Sequence, residues 1–274
     1  MLEMNMHPVF FRIGDFKIHW YGVMMALGCL SALACWTLMS RKEGRNFNFC
    51  SDLLFWCMVS GILGARLAYV ASDLGDFLAK PWRMLFIWQG GLIYYGGFLG
   101  AGLGVFLFAR FHRENIWALC DFVVIPLPLA HALGRIGCFL NGCCYGKEYD
   151  SVCAVIFPER SYAWYGQIYA GKIASIAPHS LPMHPVQLYE AAFNFVFFFV
   201  LISMYRRKKR DGIIMSLYLL TYPLARFCFE FLRSDERMRW MGFSVAQWLS
   251  IGLILLGCWI WWWTRKKAQH PLST

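Results

Sequence analysis

The sequence predicts an all-α integral membrane protein with about seven transmembrane helices. Of its 274 residues, 59% are hydrophobic and 15% are charged, whereas a soluble domain is about 45–50% apolar and about 25% charged. The apolar residues are concentrated in blocks, and residues 20–39 and 245–263 contain no charged side chain. Each block is long enough to cross about 30 Å of hydrocarbon as a helix, which excludes a soluble fold.

The predicted spans divide the chain into one membrane domain with a small external segment. They lie at about 20–39, 52–71, 92–109, 116–134, 186–204, 213–232 and 245–263. The longest connection, about 135–185, contains prolines and charged residues and is expected to be an exposed, turn-rich appendage. No repeat or low-complexity tract subdivides the sequence, so a single membrane-embedded domain is expected over residues 1–274.

The positive charge of the chain predicts membrane orientation and not a nucleic-acid partner. The net charge is +10, but the basic residues form short runs beside the apolar blocks, at Arg41, Lys42 and Arg45, at 206–210 and at 265–267. Lys and Arg are concentrated in cytoplasmic loops, so we expect the N-terminus outside and the C-terminus in the cytoplasm. The first basic cluster follows the first apolar block, which is unlike a cleaved signal peptide.

Several ionisable residues fall inside the predicted spans, where each costs on the order of 3 kcal/mol. In the sixth span, Arg226, Glu230 and Arg233 have i, i+4, i+7 spacing, which predicts one helical face. The others are Arg66 in the second span, His131 and Arg135 at the end of the fourth, and Glu190 near the start of the fifth, after His184 and Gln187.

Two functions are possible for these charges. An Arg226–Glu230 ion pair could simply hold helices together. The arginines of the spans outnumber the carboxylates, however, so they are expected to bind an anion, and the guanidinium fork matches phosphate oxygens bidentately. The anion available at the outer half of a membrane is a phospholipid headgroup, which predicts a site for lipid phosphate.

Two glycine-rich stretches flank membrane helices. Gly90 to Gly100 opens the third span, and either close helix packing through small residues or a loosened helix start that lines a site would explain it. Gly134 to Gly146 contains four glycines and three cysteines and cannot be an ordinary helix throughout. Irregular backbone at this depth must be buried in protein or line a wet cavity.

Four of the eleven cysteines, Cys138, Cys143, Cys144 and Cys153, are close in sequence on the expected outer side. A disulfide, plain packing, a metal site completed by His131 or His184, and a reactive thiol are all open. Because no C-x-x-C pair is present, no metal is expected at the site.

Six ordered motifs resemble those of bacterial prolipoprotein diacylglyceryl transferases, over nearly the whole chain. They are Trp20-Tyr21-Gly22, Gly64-Ala65-Arg66, Gly91 to Gly97, Gly134 to Gly137, His184 to Glu190, and Arg226 to Arg233. The resemblance implies a multi-pass transferase of the bacterial inner membrane with no cofactor. It would move the diacylglyceryl group of phosphatidylglycerol to the lipobox cysteine thiol of a prolipoprotein, forming a thioether and releasing glycerol 1-phosphate.

The resemblance also implies residue roles. Arg135 and Arg226 would hold and polarise the phosphate, Glu230 would orient Arg226, Tyr21 would contact the headgroup, and Tyr95 is a further catalytic candidate. The remaining implied substrate-binding residues are Arg66, Gly97, Asn141, Gly146, His184, Gln187, Glu190 and Arg233.

This chain departs from the family pattern at three positions. Tyr95 stands where the family usually has a histidine, Cys138 where it has asparagine and Cys143 where it has glutamate. Tyrosine has an ordinary pKa of about 10, so we expect Tyr95 to hydrogen-bond while the arginines ionise the thiol, whose ordinary pKa is about 8.5. The alternatives are a paralogue with another substrate, a thiol-redox or metal protein on this scaffold, and a non-catalytic lipid-binding or transport protein.

Overall fold

The structure, a computed structural model, describes residues 2–3, 8–235 and 239–269 and is mainly helical. Its α-helices are Trp20–Ser40 (α1), Phe47–Ser72 (α2), Leu74–Ala79 (α3), Tyr94–Phe111 (α4), Ile116–Val124 (α5), Leu127–Leu140 (α6), Tyr162–Tyr169 (α7), Val186–Tyr205 (α8), Ile213–Glu230 (α9) and Val245–Gln269 (α10). Short 3-10 helices lie at Arg41–Glu43, Pro81–Leu85 and Ile87–Gln89.

The strands of the described residues are short and form three two-stranded sheets. They are Leu2–Glu3 (β1), Val9–Ile13 (β2), Phe16–His19 (β3), Val155–Ile156 (β4), Arg239–Trp240 (β5) and Phe243–Ser244 (β6). Strands β2 and β3 form an antiparallel hairpin before α1, and β5 and β6 form another before α10. Strand β1 pairs with β4 in parallel. The sheets lie outside the long helices, so the predicted all-α membrane class is confirmed.

Six segments of the described chain are long and apolar enough to cross a membrane. They are Trp20–Ser40, Phe47–Ser72, Ile116–Leu140, Val186–Tyr205, Ile213–Glu230 and Val245–Lys266. The predicted third span is α4, which has 18 residues but is not among the six. Five glycines and two tyrosines lower its hydropathy. The protein is therefore a multi-pass membrane protein, while the count of seven and the orientation stay predictions.

The predicted span boundaries need three corrections. The fourth span continues to Leu140 and is interrupted between α5 and α6 at Pro126, where proline removes a backbone donor. His131 and Arg135 therefore lie inside α6 and not at its end. Helix α9 ends at Glu230, so Arg233 lies beyond it. The predicted inner tail belongs to α10 up to Gln269, and residues 270–274 lie outside the described residues.

One compact unit of the chain is Leu33–Val123. In it α2 and α4 pack through small residues: a Cβ added at Gly64 would lie 2.8 Å from the Gly100 Cα. The Ile93 N–H donates to the Ala65 carbonyl at 3.1 Å. Close packing therefore explains the glycine-rich stretch within α4, and Gly91, with φ of 76°, lies before the helix begins.

The other unit comprises Met1–Ala32 and Val124–Thr274. Within it α6 packs on α8 and α9 packs on α10. The connection between α6 and α8 was predicted to be exposed, and this is wrong for its centre. Buried side chains form a small core there: Phe139, Val155, Phe157, Ala163 and Met183. The charged residues of the connection lie on its surface, which explains why its composition indicates exposure.

Candidate active site

Three arginines from the sequence motifs described above converge on one buried carboxylate. Glu190, in the second turn of α8, is 2% exposed. Its Oε2 atom lies 2.7 Å from the Nε atom of Arg135 in α6. Its Oε1 atom lies 3.9 Å from Nη1 of Arg226 in α9 and 3.9 Å from Nη1 of Arg233. We call Arg135, Glu190, Arg226 and Arg233 the arginine cluster.

Each remaining charge of the cluster has an acidic partner. The predicted Arg226–Glu230 ion pair is present at 2.6 Å. Arg233 binds Asp235 bidentately, with two contacts of 2.9 Å. Three arginines thus face three carboxylates, of which Asp235 lies outside the spans to which the predicted excess of arginine referred. This pairing depends on how α6, α8 and α9 approach each other.

The pairing leaves hydrogen-bonding capacity unused. Nη1 of Arg226, Nη1 of Arg233 and Oε1 of Glu190 are buried and have no hydrogen-bond partner among the described residues. A separation of 3.9 Å is too long for a hydrogen bond. Because unpaired buried donors are costly, two guanidinium groups with spare donors at one point indicate a place where another acceptor binds.

A polar cavity adjoins Arg233. Its volume is about 80 Å³, and its charged lining is Lys147, Glu230, Arg233, Asp235 and Arg239. Sequence reasoning missed Lys147, Asp235 and Arg239 as members of the site. Asp235 carried a signal, since it follows Arg233 by two residues. Lys147 and Arg239 come from connections that only the fold brings together.

Tyr21 joins the site through close packing of α1 and α6. A Cβ added at Gly137 would lie 3.3 Å from the Tyr21 Cα and 3.0 Å from the Met24 Cβ, so this glycine permits the approach. Tyr21 is 42% exposed. It lies close enough to Arg135 and to Cys138 for electrostatic interaction.

The chain after α6 ties the ends of α8 and α9 together. Asn141 caps α6, its N–H donating to the Gly137 carbonyl, so the predicted end of the helix within this stretch is confirmed. Gly146 donates to the His184 carbonyl at 3.2 Å, and a Cβ on it would lie 2.5 Å from that oxygen. Lys147 donates to the Leu232 carbonyl at 2.8 Å, which positions the backbone beside Arg233.

His184 and Gln187 lie at the beginning of α8. The His184 ring stacks on Tyr149, with centroids 3.8 Å apart. Burial lowers the pKa of His184, which favours its neutral form. Gln187 is buried, and its Nε2 donates to the Cys143 carbonyl at 2.7 Å. Its Oε1 has no hydrogen-bond partner among the described residues.

Arg66, Tyr95 and Gly97 belong to the Leu33–Val123 unit. The Arg66 guanidinium donates to the backbone carbonyls of the loop before α4: Arg83 at 2.5 Å, Met84 at 2.9 Å, Gly90 at 2.8 Å and Gly91 at 3.1 Å. Gly97 packs against α2, where a Cβ would lie 3.5 Å from the Ala65 Cβ. Tyr95 is the second residue of α4 and is partly buried.

Three of the four clustered cysteines lie together. The sulfur atoms of Cys138, Cys143 and Cys144 are all within 4.8 Å of one another, and we call these residues the thiol cluster. All eleven cysteines of the chain are free thiols, so the disulfide alternative is wrong for this structure. Cys153 is exposed and is not part of the group, and neither predicted histidine belongs to it.

Cys144 lies beside the two other thiols and near two arginines. Interactions with the Cys138 and Cys143 thiols, and then the positive charges of Arg233 and Arg135, lower the pKa of Cys144 against the opposing effect of burial. Thiolates are the nucleophilic and metal-binding form of cysteine. This neighbourhood therefore favours the thiolate form of Cys144.

The chain matches the family model of prolipoprotein diacylglyceryl transferase over residues 8–263. It is 34% identical over 266 residues to the phosphatidylglycerol–prolipoprotein diacylglyceryl transferase of Legionella pneumophila (strain Lens), covering 94% of this chain and 97% of that protein.

Relatives of the same name extend the match to other bacteria. The Pseudomonas putida (strain GB-1) protein is 35% identical over 277 residues, covering 96% of this chain and 97% of the relative. The Clostridium tetani (strain Massachusetts / E88) protein is 32% identical over 255 residues, covering 93% and 96%. The resemblance found in the sequence is confirmed, and this chain belongs to the prolipoprotein diacylglyceryl transferase family of enzymes.

Proposed function

We propose that this chain transfers the diacylglyceryl group of phosphatidylglycerol to the lipobox cysteine of prolipoproteins, and that the arginine cluster holds the departing phosphate. The relatives are named for both substrates. The observation that carries the placement is the pair of buried Nη1 groups, of Arg226 and Arg233, that lack hydrogen-bond partners in the described chain and lie 3.9 Å from one Glu190 oxygen.

The chemistry of the transfer needs such donors. The sulfur of the lipobox thiolate attacks the glyceryl carbon that bears the phosphate, and a carbon–sulfur bond forms. The carbon–oxygen bond to the phosphate breaks, and its electron pair leaves on glycerol 1-phosphate. Negative charge therefore grows on the phosphate, where donors fixed before the reaction stabilise the transition state most effectively.

The acidic residues position these donors. Arg226 is held by Glu230 at 2.6 Å, and Arg233 is held by Asp235 through two contacts of 2.9 Å. The negative charge of Glu190 allows three guanidinium groups to share a buried site. Arg135, Arg226 and Arg233 therefore act on the phosphate, while Glu190 and Glu230 act through the arginines.

Other predicted residues would complete the substrate site. Tyr21, close to Arg135, contacts the headgroup, and Gln187 offers its unpartnered Oε1 to a hydroxyl of the glycerol. Asn141, Gly146 and His184 shape the connection that holds Arg233 beside the cavity. The cavity of about 80 Å³ adjoins the cluster on the side of Arg233 and Glu230.

The contact between α1 and α6 supports seven spans. Gly137, near the end of α6, packs on Tyr21, at the start of α1, so these two ends share one side of the membrane. An even number of crossings must then separate α1 from the α5–α6 segment. Because α2 is one crossing, α4 must be the other. We therefore infer one membrane domain with seven spans.

The basic runs support the orientation of these spans. Arg41, Arg45 and residues 206–210 follow α1 and α8, at the ends opposite to the arginine cluster. The positive-inside rule then puts the cluster on the outer side of a bacterial inner membrane, with the N-terminus outside. A lipoprotein precursor emerging on that side would meet the cluster there, together with headgroups of the outer leaflet.

Complementation tests the proposed function. Cells depleted of their own transferase would receive this chain and a reporter prolipoprotein, and the mass of the reporter would be measured. We expect the added diacylglyceryl mass with the wild type, its loss with the Arg135→Ala/Arg226→Ala double variant, and its retention with Arg110→Ala, which changes an exposed arginine. An unmodified reporter in cells whose membranes contain the wild-type chain would refute the proposal.

A further inference from the structure

We propose that Cys138, Cys143 and Cys144 bind a thiophilic d10 cation, represented by Zn²⁺, beside the arginine cluster. The three sulfur atoms come from the end of α6 and from the connection after it, and all lie within 4.8 Å of one another. The cysteines are free and partly buried. Neither the family names nor the proposed phosphate site accounts for three thiols brought to one point.

The geometry is close to that of a metal-bound set. With Zn–S bonds of about 2.3 Å in a tetrahedron, sulfur atoms on one zinc lie about 3.8 Å apart. Side-chain rotations that shorten each sulfur–sulfur distance by about 1 Å or less would bring the sulfur atoms to this spacing. The backbone is already fixed: the Cys143 N–H donates to the Cys138 carbonyl at 3.1 Å, and Gln187 donates to the Cys143 carbonyl at 2.7 Å.

The ligand type selects the metal. Three sulfur donors without oxygen donors favour zinc or Cu(I) over magnesium, calcium or manganese. No histidine, aspartate or glutamate of the described residues belongs to the group as a fourth member. Three protein ligands with one open position are the arrangement of catalytic zinc sites, whereas structural sites have four.

The surrounding charges suit the bound form. Arg135 and Arg233 lie near Cys144. Their own charges are balanced by Glu190 and Asp235, so they add no net repulsion against a cation. Three thiolates with Zn²⁺ carry one negative charge, so the bound form adds no excess positive charge beside these arginines.

The open position has a use in the reaction, and this step rests on the proposed function. A thiol that coordinates zinc loses its proton, so the lipobox cysteine would release its proton to water as its sulfur binds. The sulfur electron pair would then attack the glyceryl carbon, and the departing phosphate would be held by the arginines. The metal changes no oxidation state. It would activate the thiol in a chain that has Tyr95 where the family usually has a histidine.

Metal binding can be measured without activity. The full chain would be purified in detergent with a reductant, analysed for metal content, and titrated with Co²⁺ and then Zn²⁺. We expect one equivalent of metal, a near-ultraviolet sulfur-to-cobalt absorption band, and loss of that band when Zn²⁺ is added. We expect each of the variants Cys138→Ser, Cys143→Ser and Cys144→Ser to weaken binding more than about 100-fold, since losing even an outer-shell partner costs 10–100-fold.

Cys153→Ser is the matched control, because Cys153 is exposed, lies in the same connection and is outside the thiol cluster. It should bind Co²⁺ like the wild type. If the serine variants are not produced, the wild type would be alkylated with and without Zn²⁺. We expect Zn²⁺ to protect three thiols from alkylation, as counted by the intact mass of the protein. A wild type that shows no cobalt band and no protected thiol would overturn the proposal.

The two proposals fail separately. Full transfer activity in wild-type protein shown to contain no metal would overturn the role of the metal and leave the transferase proposal intact. Stoichiometric metal with no transfer from phosphatidylglycerol to a lipobox peptide would overturn the proposed function and leave the metal site intact.

Discussion

Arg66 and Arg226 are both arginines of long apolar helices, yet the structure surrounds their guanidinium groups differently. Arg66 donates to four backbone carbonyls of one loop. Arg226 is paired with Glu230 and keeps a buried Nη1 that has no hydrogen-bond partner in the described chain. The first arrangement uses the donors to hold the chain, whereas the second holds the side chain and reserves a donor. The comparison predicts that Arg66 is structural and that Arg226 is able to bind a ligand.

The largest effect is expected at Arg226. Removing one preorganised donor typically costs about 10²–10³ in rate, so Arg226→Ala should lower transfer by about 10³-fold. Arg226→Lys keeps the charge but loses the fork, and we expect a loss of about 10²-fold. Transfer to a lipobox peptide would be measured with purified protein. The control is Arg110→Lys, the same change at an exposed helix position; full activity of Arg226→Lys would rule out bidentate phosphate binding.

Arg66→Ala should instead act on stability. Its removal leaves partly buried carbonyls of the loop before α4 without these donors, and an unsatisfied buried group costs about 1–3 kcal/mol. We expect the free energy of unfolding to fall by about 3 kcal/mol, while inhibition by glycerol phosphate stays unchanged in the folded fraction. Thermal unfolding in detergent and product inhibition would be measured side by side. If the variant had normal stability and weakened product binding, Arg66 would be a phosphate-binding residue and not a structural one.

A smaller loss of stability is expected where α2 and α4 pack. Gly64→Ala would introduce a methyl group 2.8 Å from the Gly100 Cα, and such overpacking typically costs about 1–3 kcal/mol. Gly102→Ala is the matched control in α4, since an added Cβ there meets nothing within 4 Å. Equal unfolding temperatures for the two variants would contradict the packing that positions the Arg66 loop.

The comparison also shows how far the sequence could predict the site. Apolar blocks and their basic flanks predicted the helical membrane class, because hydropathy depends on composition alone. The Arg226–Glu230 pair was predictable, since i, i+4 residues of one helix are neighbours. Glu190 as the meeting point of three arginines was not, because it depends on the packing of α6, α8 and α9. Every residue has a backbone carbonyl, so the sequence could not indicate which carbonyls accept from Arg66.

Some errors had signals that were overlooked. Pro126 marks the interruption between α5 and α6, and with it the position of Arg135 inside a helix. The apolar residues Val155 and Phe157 indicate a core in the connection after α6. The closeness of the four cysteines in sequence indicated a group. That Cys138, Cys143 and Cys144 meet without Cys153 depends on backbone angles such as the φ of 63° at Cys144.

The smallest effect is expected for Tyr95→Phe, which removes one hydroxyl from the unit that also contains Arg66. If the hydroxyl only hydrogen-bonds, its loss should cost about 0.5–1.5 kcal/mol, which lowers transfer about two- to tenfold. A general base contributes about 10²–10⁴-fold, so a loss in that range, with a shifted pH–rate profile, would show that Tyr95 takes the thiol proton. A loss below tenfold with an unshifted profile leaves thiol activation to the arginines and the thiol cluster. The measurement therefore decides whether the Leu33–Val123 unit contributes chemistry as well as structure.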